Sequence, residues 1–373
     1  MKRYAGKLAL ILTMALAATS LTACGSSTGS GVAKYGSEEI PLGEPEFLMR
    51  YEQWMSEAYY WDIYTYLGYD NMWEATDSTG TSTYGDTVHD TAMQEVLQTR
   101  VLMDHASEYG IDGLTEEQQA KVEETVDEFL EAYPLFLNHV SSDRDEIVSY
   151  MEKNAIANLV IEAVKEAANV EVTDEECQKY GVEYVKVSIH EEEEETDEDT
   201  EEAETEAAEE EEEDQPVDMQ LVTQIMKEAA DGADLSDIAA EYDDASYTST
   251  SYLVIGETST DAAYTVSQNL EVGEVSYIEV NEDGWYIVRK LNDLDEDATE
   301  TERESLIDEK ETEAFNSVYT EWSADAQTFT VDETKWAEVT ITDKIFEEET
   351  EEAEETEVAE TEATEAETET EAE

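Results

Sequence analysis

Acidic residues are concentrated in two stretches of this chain, and these stretches limit which parts of it can form a folded core. Residues 191–214 contain 18 acidic residues and no basic one, and residues 347–373 contain 15 acidic residues and no basic one. Like charges at this density repel one another, and the few apolar side chains between them cannot offset the entropy lost on ordering. We therefore predict that both stretches are disordered and that the chain folds in the blocks around them.

The N-terminus has the pattern of a bacterial export signal. Three basic residues among the first seven precede an apolar run from Leu8 to Leu21, which is too short to span a membrane. Small residues then lead directly to Cys24, as in the lipobox of lipoproteins. We expect cleavage before Cys24 and lipidation of its thiol, which anchors the chain to the outer face of the cell membrane. The alternative is ordinary signal cleavage beside an incidental cysteine.

Composition argues against several kinds of site. The formal net charge of −80 leaves no cluster of Lys and Arg for phosphate groups, so we expect no nucleic-acid partner. Cys177 is the one other cysteine, so no disulfide between two free thiols can form once Cys24 is lipidated. The four histidines stand far apart in the sequence and show no zinc-ligand spacing. We expect neither a metal nor a cofactor.

Residues 32–171 are predicted to form a helical domain. A short strand-like segment at 32–35 precedes a helix that begins near Glu44, and apolar residues then recur at spacings of three and four. The second helix closes at Gly110, and Thr115 begins the third helix as the first residue of a capping box. A fourth helix starts at Asp145.

The rest of the chain is predicted to form a smaller domain and a returning helix. Alternation over 182–188, a helix over 219–229 and period-two segments around a turn at 281–284 indicate strands and helices in one small domain. Thr301 is predicted to cap a long helix, which an alternating segment from Val331 to Ile345 follows. The apolar face of this helix must pack against another part of the chain, and we expect it to pack on the N-terminal helices.

Several motifs occur in an order and spacing that resemble the PrsA-like and SurA-like extracytoplasmic foldases over nearly all of residues 32–345. The motifs lie at 109–111, 114–118, 233–239, 270–276 and 284–288. Within this region, residues 218–291 resemble a parvulin-type (PpiC-like, rotamase) peptidyl-prolyl isomerase domain. The resemblance implies a membrane-tethered foldase or chaperone that acts on unfolded exported proteins and needs no cofactor.

The predicted fold class is α+β: a helical chaperone-like domain built from both ends of the chain, and an inserted parvulin-like domain with an antiparallel sheet flanked by helices. The predicted segments are a signal peptide at 1–23, a flexible tether at 24–31, the helical domain at 32–171, the parvulin-like domain at 172–296 with an acidic insertion at 191–216, a returning helix and strand at 297–346, and an acidic tail at 347–373.

The positions of the family's active-site residues are occupied differently in this chain. Tyr184 and Tyr286 stand where the first and last strands of the family usually carry histidines, and Asp244 lies beside the usual cysteine or aspartate position. His190 comes just after the first strand, and residues 191–373 contain no histidine. Tyrosine hydroxyls can donate hydrogen bonds to a twisted prolyl amide, but both tyrosines can equally be ordinary strand residues packed on a core. The resemblance therefore leaves isomerase activity open.

Two functions are consistent with these residues. One is an isomerase of Xaa-Pro bonds; the other is a non-catalytic holdase in which the parvulin-like domain is a spacer or docking module. Large aromatic residues suit promiscuous binding of unfolded chains, so Trp54, Tyr60, Trp61 and Trp73 are candidate client contacts, with an ordinary helical core as the alternative. A solute-binding or surface-display lipoprotein is a weaker third hypothesis. The sequence does not indicate the clients or whether the chain dimerises.

Overall fold

A computed structural model describes residues 31–76, 80–188, 217–280 and 284–346. They divide into two compact units: one is Val170–Lys310, and the other combines the described residues up to Asn169 with those from Glu311 onward. Helices and two antiparallel sheets are both present, which confirms the α+β class. Cys24, His190, the acidic segments at 191–216 and 347–373, and residues 281–283 of the predicted turn lie outside the described residues. No described helix is long and apolar enough to cross a membrane.

The first unit is mainly helical. Its four long helices are α1 (Gly43–Tyr66), α2 (Tyr84–His105), α3 (Glu116–Ala132) and α4 (Arg144–Ala168). Short 3-10 helices lie at Met72–Glu74, Ala106–Tyr109 and Pro134–His139.

Capping side chains fix where these helices begin. Thr115 accepts a hydrogen bond from the backbone N–H of Gln118, whose side chain in turn accepts from the Thr115 N–H, so the predicted capping box is confirmed. Thr83 and Asp143 form the same arrangement at the starts of α2 and α4. The predicted end at Gly110 is also confirmed: this residue follows the 3-10 helix in a left-handed conformation with a φ of 72°.

The two ends of the described chain meet in a three-stranded sheet. Strands β1 (Ala33–Tyr35), β2 (Glu38–Ile40) and, later in the chain, β7 (Phe329–Val331) are antiparallel, with β1 in the middle. The predicted alternating segment from Val331 to Ile345 is not a strand beyond its first residue. Asp332 accepts a hydrogen bond from the Lys335 N–H and so caps a short helix, α10 (Glu333–Trp336).

The long helix near the C-terminus begins earlier than predicted. It is α9 (Glu296–Asp325), and the Asp295 carboxylate accepts from the backbone N–H of Ala298 at 3.1 Å at its start. Thr301 is therefore inside the helix, where its hydroxyl donates to the Asp297 carbonyl at 2.9 Å. Further along α9, Phe315 and Tyr319 are buried in the same hydrophobic core as the helices of the first unit.

The second unit is a four-stranded antiparallel sheet between helices. Its strands are β3 (Lys179–Val187), β4 (Ala245–Leu253), β5 (Val275–Val280) and β6 (Gly284–Lys290), in the order β4-β3-β6-β5. Its short helices are α5 (Asp174–Cys177), α6 (Val217–Ala230), α7 (Leu235–Ala239) and α8 (Ala262–Ser267).

The alternation of β3 and β6 builds a separate core on each face of this sheet. Val185 and Ile287 point to the face covered by α6 and α7. Val182 and Val288 point to the other face, where Ala263 of α8 packs against them. Side chains with the same parity as Val182 and Val288 therefore lie on the α8 face, and this includes both tyrosines of the predicted site.

Candidate functional site

Tyr184 and Tyr286 lie together on the α8 face of the sheet. The register pairs Tyr184 with Val288 and Lys186 with Tyr286, so the two tyrosines are diagonal neighbours on adjacent strands. Their ring centroids are 5.4 Å apart, with the ring planes 44° from parallel. Both rings pack at the edge of the core beneath α8. The two positions singled out from the sequence are thus brought to one place.

A cavity of about 410 Å³ opens above these two rings. Its walls come from the two tyrosines, from β5 and from the segment that begins α8. The lining residues are Tyr184, Thr260, Asp261, Ala262, Thr265, Ile278, Val280 and Tyr286. This lining combines an apolar side with hydroxyl groups, the general character of a small-ligand or peptide site.

Asp261 holds the α8 wall of the cavity in place. One carboxylate oxygen accepts from the backbone N–H of Ala263 at 2.9 Å and caps α8. The other accepts from the Tyr252 hydroxyl at 2.9 Å, which ties the wall to β4. Burial first, and the hydrogen bond to Asp261 second, raise the pKa of Tyr252 well above its usual value, so this hydroxyl keeps its proton.

Asp244 does not belong to this cavity. Its backbone carbonyl accepts from the Ser188 N–H at 3.0 Å, just before β4 begins. Tyr184 is paired with Thr248, four residues further along β4, which places Asp244 roughly 14 Å along the strand from Tyr184. Asp244 therefore lies just before β4 and is not among the residues that line the cavity.

The cavity residues that the sequence analysis missed belong mainly to the segment before α8. Asp261 had one usable signal, because an aspartate directly before a short apolar run is a common helix cap. Ile278 and Val280 alternate with Tyr277 on β5, so their face could have been assigned by parity once the strand register was known. Thr260 and Thr265 carry no local signal.

Two of the four predicted client contacts are buried. Trp54 is 1% exposed and packs against the rings of Phe136 and Phe346 at centroid distances of 5.6 and 5.3 Å. Trp73 is 2% exposed, and its indole N–H donates to Glu57 at 2.8 Å. Neither side chain is available to a client in this structure, because both complete the core of their own unit.

The other two candidates lie near the C-terminal end of α1. Tyr60 is exposed, whereas Trp61 is partly buried with the Lys344 ammonium 5.0 Å from its ring centroid. Tyr60 belongs to a larger exposed set, which we call the α1 aromatic end. Its members are Tyr59, Tyr60, Ile63, Tyr66, Leu67 and Tyr69, and the most exposed of them is Tyr66 at 90%.

Within the described parts of the chain, no group of three or more His, Cys, Asp and Glu side chains can hold a metal ion. The cavity itself presents two phenols, an apolar wall and the carboxylate that caps α8. The apolar wall can bind a segment that contains an amide, and the phenols can donate hydrogen bonds to the amide oxygen.

Comparison with known proteins gives structural likeness only. No protein-family model matches the sequence, and no curated protein matches it significantly. Among solved structures, PrsA from Bacillus subtilis is 14% identical with a TM-score of 0.23, and the alignment covers 69% of this chain and 94% of that chain. The foldase protein PrsA from Streptococcus pneumoniae is 13% identical with a TM-score of 0.29, and the alignment covers 73% and 96%. Likeness at this level carries no argument about function, which must be inferred from the residues of this chain.

Proposed function

We propose that this chain is an extracytoplasmic protein-folding factor, held at the membrane by a lipid on Cys24, that acts on unfolded exported proteins. We propose further that the Tyr184–Tyr286 cavity receives an Xaa-Pro segment. The observation that carries the proposal is the meeting of these two tyrosines at one cavity, although they are 102 positions apart in the chain. In the parvulin pattern that the sequence resembles, the same two strand positions carry the residues of the site.

Prolyl isomerisation requires no nucleophile, metal or redox group. The barrier of about 18–20 kcal/mol comes from twisting the amide out of its plane. A site lowers this barrier by binding the twisted amide more tightly than the planar one. The apolar side chains of Ile278 and Val280 can hold the proline ring, and the phenols of Tyr184 and Tyr286 can donate to the carbonyl oxygen as the amide twists.

We expect the chain from residue 25 onward to accelerate the refolding of a denatured protein whose slow step is prolyl isomerisation. Replacing both tyrosines by phenylalanine, Tyr184→Phe with Tyr286→Phe, should reduce this acceleration about tenfold or more, because lost donors to the developing charge typically cost at least that much. The measurement is the rate constant of the slow refolding phase as a function of enzyme concentration.

Tyr277→Phe is the matched control for this experiment. Tyr277 lies on β5 of the same sheet but on the opposite face, 5.7 Å from the ring of Trp285, and its side chain is exposed. The Tyr277→Phe variant should accelerate the slow refolding phase as much as the unmodified chain does. No acceleration by the unmodified chain would exclude isomerase activity, and full activity of the double variant would remove both hydroxyls from the mechanism.

The alternative function, a non-catalytic holdase, is favoured by one observation, the α1 aromatic end. Six large apolar side chains stand exposed within eleven residues, and an exposed apolar patch of this kind is typical of a surface that binds other chains. In this case the parvulin-like unit serves as a spacer or docking module.

The holdase function predicts that Tyr59→Ser, Ile63→Ser and Tyr66→Ser together weaken the binding of an unfolded client about tenfold or more, since each lost apolar contact of this kind typically costs about 1 kcal/mol. Light scattering of an aggregating client and the dissociation constant of a labelled unfolded chain are the measurements. Leu135→Ser with Leu137→Ser is the control, because these leucines are also exposed but lie elsewhere in the first unit. An equal loss of client binding in the triple variant and in the control would contradict specific binding at the α1 aromatic end.

A further inference from the structure

A second cavity lies between α1 and α2 in the first unit, and it contains two carboxylates. Its volume is about 250 Å³, which exceeds the space of a single water molecule several times. Leu48, Val88 and Ala92 supply apolar walls, Tyr84 supplies an aromatic one, and Glu52 and Glu95 supply the charged groups. Among the described residues that line this cavity there is no Lys, Arg or His.

Glu52 is held in place by a chain of hydrogen bonds. Ser56 donates from its hydroxyl to a Glu52 carboxylate oxygen at 3.2 Å, and the Ser56 oxygen is 2.8 Å from the Tyr84 hydroxyl. Since the single Ser56 proton is used by Glu52, Tyr84 donates to Ser56. The Tyr84 ring is itself stacked against Trp73, at a centroid distance of 5.1 Å. The Ser56 hydroxyl therefore orients the carboxylate of Glu52, whose side chain is exposed.

Glu95 is the unusual member of the cavity. Its side chain is partly buried in the wall of the cavity, and the described structure gives it neither a hydrogen bond nor an ion pair. Loss of hydration through burial first, and repulsion by Glu52 second, raise the pKa of Glu95 to about 8. The other titratable group that faces it is the Tyr84 hydroxyl. The ionised form of a partly buried carboxyl that lies beside a second acid and has no partner is unfavourable unless a positive charge joins it.

We propose that this cavity binds the cationic side chain of a lysine or arginine in a bound polypeptide, with the charged group between Glu52 and Glu95. The aliphatic stem of such a side chain suits the walls formed by Leu48, Val88 and Ala92, while its end suits the two carboxylates. A divalent metal fits poorly, because Ca²⁺ takes six to eight oxygen ligands and this cavity presents two carboxylates. The site is independent of isomerase activity.

The binding is expected to depend on pH in a defined direction. The cation favours ionised Glu95, whose pKa in the empty cavity is raised to about 8. Below that pH the carboxyl is mostly protonated, and above it the carboxyl is mostly ionised. Because an alkylammonium ion, like lysine, stays charged until about pH 10, its affinity should rise about tenfold between pH 7 and pH 9.

The test uses the full chain labelled with ¹³C at glutamate carboxyls, with n-butylammonium as the probe. In the absence of the probe, one carboxyl resonance should titrate near pH 8, well separated from exposed glutamates, and Glu95→Gln should remove it. Saturating n-butylammonium should lower its apparent pKa by one unit or more, whereas n-butanol should leave it unchanged. Glu52→Gln should weaken n-butylammonium binding about tenfold.

Asp62→Asn is the matched control, since Asp62 is an exposed acid of α1 that does not line the cavity. This variant should retain the full response to n-butylammonium. A Glu95 resonance that does not respond to n-butylammonium, or that responds equally to sodium chloride at the same ionic strength, would overturn the proposal. The wild-type titration needs no variant to fold, so a destabilised substitution cannot hide either result.

Discussion

Replacing Arg100 by methionine should destabilise the first unit by about 3–5 kcal/mol, the usual cost of breaking a buried ion pair from one side. Arg100 and Glu44 are each 3% exposed. The guanidinium donates to the two Glu44 carboxylate oxygens at 2.7 and 2.8 Å. In Arg100→Met the Glu44 carboxylate keeps only the ammonium of Lys153, at 3.1 Å.

Urea unfolding followed by tryptophan fluorescence is a suitable measurement, because five of the six tryptophans belong to the first unit. Arg144→Met is the matched control. Arg144 is paired with Asp127 at 2.6 Å, but this pair lies at the surface, so its loss should change stability little. A similar unfolding midpoint for Arg100→Met and Arg144→Met would contradict the assigned role of the buried pair.

The loss of stability caused by Arg100→Met should be smaller at acidic pH. Burial alone would raise the pKa of Glu44, but the hydrogen bonds and charge of Arg100, with those of Lys153, hold it below its ordinary value of 4.5. A carboxyl with a lowered pKa in the folded protein contributes stability above the pKa of the unfolded chain. This contribution is lost as the pH falls through the folded pKa. The difference in the free energy of unfolding between the wild-type chain and Arg100→Met should therefore decrease below about pH 4.5.

Removing both Glu44 and Arg100 should destabilise the first unit less than removing Arg100 alone. In Glu44→Met with Arg100→Met, no charge remains buried without a partner, while Lys153 and Glu38 are partly exposed and can be hydrated. We expect the double variant to be more stable than Arg100→Met alone. A double variant with the summed loss of the two single ones would show that packing, not charge, determines the effect.

Local sequence signals predicted local structure well in this chain. The capping box at Thr115 and the left-handed end at Gly110 depend on neighbouring residues only, and both are confirmed. The alternation over 182–188 predicted a strand, and β3 occupies Lys179–Val187. The prediction that Thr301 caps the long helix was wrong. Two capping signals stand six residues apart, and the earlier one, Asp295, begins the helix.

Contacts between distant residues could not be predicted in the same way. Tyr184 and Tyr286 were suggested by a family pattern, but their meeting depends on the register of β3 and β6, which no local signal sets. Glu44, Glu57 and Glu95 look like any other acid in a chain with 99 acidic residues. Each is distinguished only by what surrounds it after folding.

Replacing Glu57 by glutamine, which has nearly the same shape, should destabilise the first unit by about 2–4 kcal/mol. Glu57 is 2% exposed. One of its carboxylate oxygens accepts from the Trp73 indole at 2.8 Å and the Gln53 amide at 2.9 Å. The other accepts from the backbone N–H groups of Ile345 and Phe346 at 2.7 and 2.6 Å. Glutamine has one oxygen, so two of these donors must lose their acceptor, at about 1–2 kcal/mol each.

The structure indicates which pair of donors loses its acceptor. The Gln53 amide also donates to the Asp343 carbonyl at 2.8 Å, so turning it away from residue 57 would break a further bond. The new amide nitrogen should therefore face Ile345 and Phe346, whose N–H groups would exchange with solvent much faster. Phe346 covers Trp54, so acrylamide should also quench tryptophan fluorescence more strongly. Glu338→Gln, an exposed substitution nearby in sequence, should change neither signal. Unchanged exchange at both amides in Glu57→Gln would show that Glu57 does not hold this segment against α1; faster exchange would identify the bond that keeps Trp54 covered.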